Sequence, residues 1–298
     1  MTEAESTVVG HPPVAGGNAG MDSDYLQVRG LSVEFDGFKA VSDVDLTLLQ
    51  GDLRFLIGPN GAGKTTIIDA ITGLVKSTGS IQKSGVELVG KKVHQIARLG
   101  VGRTFQTASV FEELSVLQNL DIAAGAGRSV WTMLRRRPTQ IPDSIAEALE
   151  TIGLQDLADT PAGVLAHGQK QWLEIGMLLV QNASVLLLDE PVAGMSHEER
   201  EETGNLLRRI GGERTVVVVE HDMDFMRSFA TSVTVLARGR VLAEGTVAEV
   251  QANPKVQEVY LGTAAGGEEL EEIAAEVDSD TTATSANAAA TQPITEKG

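Results

Sequence analysis

The chain has 298 residues, with 32 glycines, 9 prolines and no cysteine. Lack of cysteine excludes a disulfide scaffold, a thiolate metal site and a cysteine nucleophile, and no run approaches the roughly 20 apolar residues that span a bilayer. The 41 acids outnumber the 24 bases for a net charge of −17, which argues against a nucleic-acid binder held by phosphate neutralisation.

In chain order, residues 1–24 are rich in Gly, Pro and small polar types and read as a disordered leader; they lack the basic start and apolar run of a secretory signal. Leu26, Val28, Leu31, Val33 and Phe35 then recur through a polar background, and Val41 to Leu49 alternates through Val44, Leu46 and Leu48, predicting two strands. Arg54 to Ile57 is a short buried strand that opens into Gly58-Pro-Asn-Gly, and Thr65 to Leu74 reads as a helix with Gly73 near its end. From about 107 to 165 the pattern is mostly helical and carries the basic run Arg135–Arg137, and a further helix is predicted over 169–182. Val185–Leu188 and Val216–Val219 are continuous apolar strands, with a charged helix over Glu198–Ile210 between them. Such strands alternating with helices predict a parallel sheet covered on both faces. Arg240–Gly245 reads as a late antiparallel strand. Residues 263–298, with their acidic cluster from Glu268 to Glu276, read as a disordered acidic tail.

Gly58-Pro59-Asn60-Gly61-Ala62-Gly63-Lys64-Thr65 matches the phosphate-loop pattern G-x-x-x-x-G-K-[ST] in full, between a buried strand and a helix. Glycines let the backbone wrap a polyphosphate closely. The amides of Gly61, Gly63, Lys64, Thr65 and Thr66 can point inward at a helix N-terminus, whose dipole favours anions. Lys64 would neutralise β/γ-phosphate oxygens, and Thr65 would ligate Mg2+. Asp189 follows the Val185–Leu188 run and so lies at the carboxyl edge of the sheet, where open α/β folds bind ligands. It would hold Mg2+ through water, with Glu190 polarising the attacking water. His221 follows the next apolar strand and reaches the same edge as a γ-phosphate contact.

Together these residues resemble an ATP-binding cassette (ABC) transporter ATPase. In family order the chain also carries Gln106, in Arg-Thr-Phe-Gln, at the glutamine-loop position, and Leu165-Ala166-His167-Gly168-Gln169 at the signature-loop position. The resemblance covers 25–262. It implies an α/β P-loop NTPase with a mainly parallel core sheet, an N-terminal antiparallel β region and an α-helical subdomain inserted at about 107–180. It implies ATP and Mg2+ as cofactors, Gln106 on the metal and Glu190 as the catalytic carboxylate. It places Phe35 against adenine, core packing being the other reading of that residue. A second ATPase subunit, identical or homologous, would pair head to tail, so that each ATP lies between one chain's phosphate loop and the other's signature loop. Transmembrane permease subunits, an extracytoplasmic solute-binding protein and a place on the cytoplasmic face of the cell membrane follow from the same resemblance. A short permease helix would fill a groove beside Val110, Phe111, Leu114, Val116, Leu117 and Leu120, in a helix-in-groove mode.

Asp189-Glu-Pro-Val-Ala-Gly-Met195 and Val259-Tyr-Leu-Gly262 resemble the branched-chain amino-acid and amide importer group. Within it, His167–Met177 resembles most the urea-transporter ATPase, so urea is the expected solute, with branched-chain amino acids or short amides as the alternative. A soluble, non-transport ABC ATPase is the alternative of another class; such proteins usually carry two cassettes or a coiled-coil insertion, and neither is found in this sequence. The family's usual signature is Leu-Ser-Gly-Gly-Gln, and Ala166 stands where the Ser hydroxyl would bond the partner chain's γ-phosphate. One such charge-assisted bond is worth about 1.5–3 kcal/mol. The loss is expected at the ATP held by the partner's phosphate loop. His167 is read either as a partner-nucleotide contact or as a satisfied surface histidine. Trp172 is expected in the core, and Trp131 beside Arg135–Arg137 on a solvated face or at anionic lipid head groups.

Overall fold

The computed structural model describes residues 25–104, 109–125 and 141–264. The leader, Gln106, Trp131 with Arg135–Arg137, and the acidic cluster of the tail lie outside the described residues.

β1 (Tyr25–Phe35) and β2 (Phe38–Leu49) form an antiparallel hairpin with Leu26 opposite Leu48 and Val28 opposite Leu46. The period-2 alternation buries those four residues and leaves the other face polar. β4 (Thr78–Lys83) and β5 (Val86–Glu87) complete a sheet of order β2-β1-β4-β5. Their sequence gives no alternation to read, because in β4 only Ile81 is buried.

The second sheet has the order β10-β9-β3-β8-β7-β6, built from β3 (Leu53–Ile57), β6 (Val101–Arg103), β7 (Val185–Asp189), β8 (Thr215–Val219), β9 (Ser232–Ala237) and β10 (Arg240–Gly245). All neighbours in it are parallel except β10, which is antiparallel to β9. Every residue of β3, β7 and β8 is buried. Successive side chains enter different cores: Leu186, Leu188, Val216 and Val218 pack under the helices, while Val185, Leu187, Val217 and Val219 pack toward the antiparallel sheet. Burial on both faces explains their unbroken apolar sequence.

α1 (Lys64–Ile71) follows β3, and α2 (Val93–Arg98) precedes β6. α1 ends before its predicted span does, because Gly73 takes a left-handed φ of 75° and Leu74 N turns back to the Asp69 carbonyl at 2.8 Å. α3 (Val116–Ala124), α4 (Asp143–Ile152) and α5 (His167–Val180) form the helical layer. Leu173 and Ile175 of α5 share a buried cluster with Val116 and Leu120 of α3 and Ile145, Leu149 and Ile152 of α4. Each such aliphatic side chain contributes about 1.5–3 kcal/mol through burial. Trp172 packs against this cluster as expected, its Nε1 donating to Thr203 Oγ1 at 2.8 Å. α6 (His197–Gly211), α7 (Met223–Phe229), α8 (Val247–Gln251) and α9 (Pro254–Ala264) complete the chain. Among the described residues no helix is long and apolar enough to cross a membrane.

Candidate functional site

β3 feeds the chain into Gly58–Gly63 and α1 leaves it. Gly63 has φ 99°, and a Cβ there would lie 2.8 Å from the Ala40 carbonyl oxygen, so only glycine fits. The β9–β10 turn closes on the loop as well: Gly239 N donates to Ala62 O at 3.0 Å, and Ser42 N to Gly239 O at 2.8 Å. No side chain caps α1, so its first amides are left to the concavity of the loop. Lys64 is buried and its Nζ donates to Gly58 O at 2.7 Å and Pro59 O at 3.3 Å. Burial pulls its ammonium below the usual lysine range, and the negative Glu190 and Asp189 oppose that shift. Thr65 is exposed and Thr66 half-buried on the first turn of α1.

Asp189 closes β7 and is buried. Arg103, the last residue of β6, donates from Nη2 to Asp189 Oδ2 at 3.0 Å and from Nη1 to Asp69 Oδ1 on α1. Burial pushes the Asp189 carboxyl above the usual aspartate range, and the Arg103 guanidinium opposes this. Asp189 Oδ1 is buried with no hydrogen-bond partner among the described residues. Glu190 follows with φ 50°, a left-handed conformation that costs a non-glycine residue roughly 1–2 kcal/mol. Its amide is anchored to Val219 O of β8 at 2.9 Å. His221 Nδ1 stands 3.6 Å from Glu190 Oε1. Beneath it, the buried Glu220 accepts from Val192 N at 3.3 Å and His221 N at 3.2 Å, tying the segment after Glu190 to the one carrying His221. Burial pushes the Glu220 carboxyl up.

The site therefore brings Lys64, Asp189, Glu190 and His221 to one sheet edge. Sequence reasoning did not single out Arg103 or Glu220. The available signals were a charged residue in the Arg-Thr-Phe-Gln stretch and one directly after an unbroken run of valines.

Phe35 ends β1 at the hairpin beside the loop and is 44% exposed, so it is not a core residue. Leu165 is buried, while Ala166 and His167 are exposed at the start of α5. α5 begins two residues before its predicted start, because Gln169 Oε1 accepts from Ala166 N at 3.0 Å and caps the turn. His167 Nε2 lies 3.1 Å from Ala193 O. Gly168 packs on Glu199, whose carboxyl the Ser196 amide and hydroxyl, with the Gly168 amide, hold below the usual range. Residues 165–169 thus rest on 193–199 of the same chain. A groove of about 240 Å³ is lined by α2, β6 and α5, with Leu74, Val93, Ile96, Arg103 and Met177 among its walls. Phe111 is 52% exposed, whereas Val116 and Leu120 of the same apolar set are buried.

A glycine-rich loop between a buried strand and a helix, with a carboxylate pair ending a neighbouring parallel strand, defines a P-loop nucleotide-binding protein. The family model described as "ABC transporter" matches residues 41–193, and that described as "Branched-chain amino acid ATP-binding cassette transporter" matches 240–266. The branched-chain amino acid transport ATP-binding protein BraF of Pseudomonas aeruginosa is 36% identical over 255 residues, covering 82% of this chain and 100% of BraF. LivG of Escherichia coli is 37% identical over 255 residues, with the same coverage. The crystal structure of the ADP conformation of MJ1267, an ATP-binding cassette of an ABC transporter, superimposes with a TM-score of 0.69 at 31% identity, covering 80% of this chain and 99% of that one. A nucleotide-free ATP-binding cassette from an ABC transporter superimposes with a TM-score of 0.68 at 30% identity, covering 80% and 98%.

The chain belongs to the ABC transporter family, as an ATP-binding subunit of the branched-chain amino acid importer group. It is an ATPase whose hydrolysis is coupled to transport.

Proposed function

We propose that the chain powers uptake of branched-chain amino acids. The observation that carries the reading is the convergence of Lys64, Asp189, Glu190 and His221 at one sheet edge, in a chain whose relatives BraF and LivG match over their whole length. Those relatives are named as branched-chain amino acid transport proteins, which favours the expected alternative solute over urea. The stretch His167–Met177 favours urea as the second reading.

Residues 58–66 would grip the triphosphate, with Lys64 exchanging its two carbonyl partners for β- and γ-phosphate oxygens and Phe35 stacking on adenine. Mg2+ fits the oxygen donors here: Asp189 has an unpaired Oδ1, and the Thr65 hydroxyl is a hard ligand of the kind this ion takes; Gln106, outside the described residues, would add its amide oxygen. When bound, Mg2+ neutralises charge on the β- and γ-phosphates. Glu190 orients the water and accepts its proton, while His221 contacts the γ-phosphate. The bond from the γ-phosphorus to its bridging oxygen breaks, giving ADP and phosphate. Stabilisation is electrostatic and positional.

Ala166, His167, Gly168 and Gln169 would face the ATP of a second ATPase subunit in a head-to-tail pair; Leu165, expected with them, is instead buried in the helical core and anchors the loop. A permease helix would seat in the groove between α2, β6 and α5; the residues expected to line its seat do not line this groove, and Val116 and Leu120 among them are core residues. An extracytoplasmic binding protein would deliver the solute, and the chain would lie on the cytoplasmic face of the membrane.

Reconstitution of the chain with its permease, second ATPase and binding protein tests this. Leucine, isoleucine or valine should stimulate ATP hydrolysis severalfold, urea should not, and Lys64→Ala should abolish turnover. Stimulation by urea alone would establish the second reading. Hydrolysis indifferent to every solute, by a chain that never co-purifies with membranes, would favour a soluble ABC ATPase.

A further inference from the structure

We propose that Arg103 is a positioning residue that reports occupancy of the α2–β6–α5 groove to Asp189. Its backbone ends β6, with Arg103 paired to Leu187 two residues before Asp189. Arg103 is one of the residues lining the groove. Its guanidinium bonds Asp189 Oδ2 at 3.0 Å and Asp69 on α1. The arginine side chain is 8% exposed, so this is a desolvated fork between two carboxylates rather than a surface ion pair.

Two consequences follow. By engaging Oδ2, the fork leaves Oδ1 as the open oxygen of Asp189 and fixes its direction. Asp69 lies four residues beyond Thr65, on the same side of α1 one turn along. One guanidinium therefore ties the strand-end carboxylate to the helix that begins at the phosphate loop.

The groove wall beside this tie is closely packed. A Cβ on Gly102, the neighbour of Arg103, would lie 3.0 Å from Leu178 Cδ2 of α5, so β6 and α5 touch directly. An occupant that wedges α5 from β6 moves the strand carrying Arg103, and with it the orientation of Asp189. The inference rests on the ATPase reading for what Asp189 does and on the groove as the permease seat.

The test uses the full chain with Arg103→Gln, Arg103→Lys and Asp69→Asn. Mn2+ binding to the complex with a non-hydrolysable ATP analogue is followed by electron paramagnetic resonance, and nucleotide affinity is measured separately in EDTA. Arg103→Gln should weaken Mn2+ binding about tenfold, with affinity in EDTA within twofold of wild type. Arg103→Lys should recover only part of the loss, because an ammonium cannot fork to both carboxylates. Asp69→Asn, which leaves the groove lining and the Arg103–Asp189 bond in place, should give a smaller loss and carries the test if Arg103→Gln does not fold. In the assembled transporter at saturating Mg2+, Arg103→Gln should also lower the permease-dependent stimulation of hydrolysis. Wild-type Mn2+ affinity and wild-type stimulation in folded variants would overturn the proposal. A wild-type chain that binds no magnesium-loaded nucleotide would instead remove the ATPase reading beneath it.

Discussion

Glu220 offers the sharpest separation of structure from catalysis. It is 1% exposed and spans two loops, accepting from Val192 N at 3.3 Å and from His221 N at 3.2 Å. Val192 lies two residues past Glu190, so one carboxylate sets the spacing between the proposed water-activating and phosphate-sensing groups. Glu220→Gln keeps the volume, but its amide oxygen serves one donor while its NH2 opposes the other. Losing one bond to a charged acceptor costs about 1.5–3 kcal/mol. Part of that is returned, because burial disfavours the carboxylate and pushes its pKa up. The net expectation is about 1–2 kcal/mol for Gln. For Ala, which strands both amides and opens a cavity, it is about 3 kcal/mol or more. Urea unfolding reads these as lowered midpoints at unchanged slope. Steady-state hydrolysis should show kcat of Glu220→Gln reduced about tenfold, equivalent to about 1.4 kcal/mol. KM for ATP should stay within twofold, since the phosphate loop is untouched. A Gln variant with wild-type kcat and wild-type midpoint would refute the spacing argument. A lowered midpoint with wild-type kcat would reduce Glu220 to a packing role.

Three further outcomes are expected. Glu190→Gln should retain ATP binding but trap the closed subunit pair, seen by size exclusion with ATP; wild-type turnover in this variant would remove Glu190 from the chemistry. Ala166→Ser should supply a hydroxyl at the signature loop, worth about 1.5–3 kcal/mol, and raise ATP turnover in the assembled complex; an unchanged rate would mean that the hydroxyl is not missed. Glu87 is pushed up by burial, but the Ser80 hydroxyl and the amides of Val89, Ile81 and Leu88 outweigh this and hold it below the usual glutamate range. A depressed carboxylate adds stability above its unfolded pKa of about 4.3 and loses it as pH falls through the folded value. Glu87→Gln should therefore flatten the acid limb of stability below about pH 4.3, and an unaltered limb in pH-dependent melting would discount these bonds.

What the sequence discloses follows from where burial comes from. The strands β7 and β8 have no polar face, so Val185–Leu188 and Val216–Val219 read as continuous runs, and the charged residues after them must stand at the sheet edge. β6 is only three residues long with a single buried one, Val101, and it is a strand because β7 is there to pair with it. The partners that shape the site are far apart in the chain. Arg103 meets Asp69 across 34 residues and Asp189 across 86, and Glu220 meets Val192 across 28, distances over which no local period operates. The left-handed backbone of Glu190 is equally silent, since nothing in Asp-Glu-Pro demands it; the anchor is Val219 on another strand. The solute is hidden for a different reason. No residue proposed for the site touches it, so no chemistry there selects a branched-chain amino acid over urea. His167–Met177 points one way and the whole-length relatives the other because each is a likeness of sequence. Only the response of ATP turnover to the solute itself measures the choice.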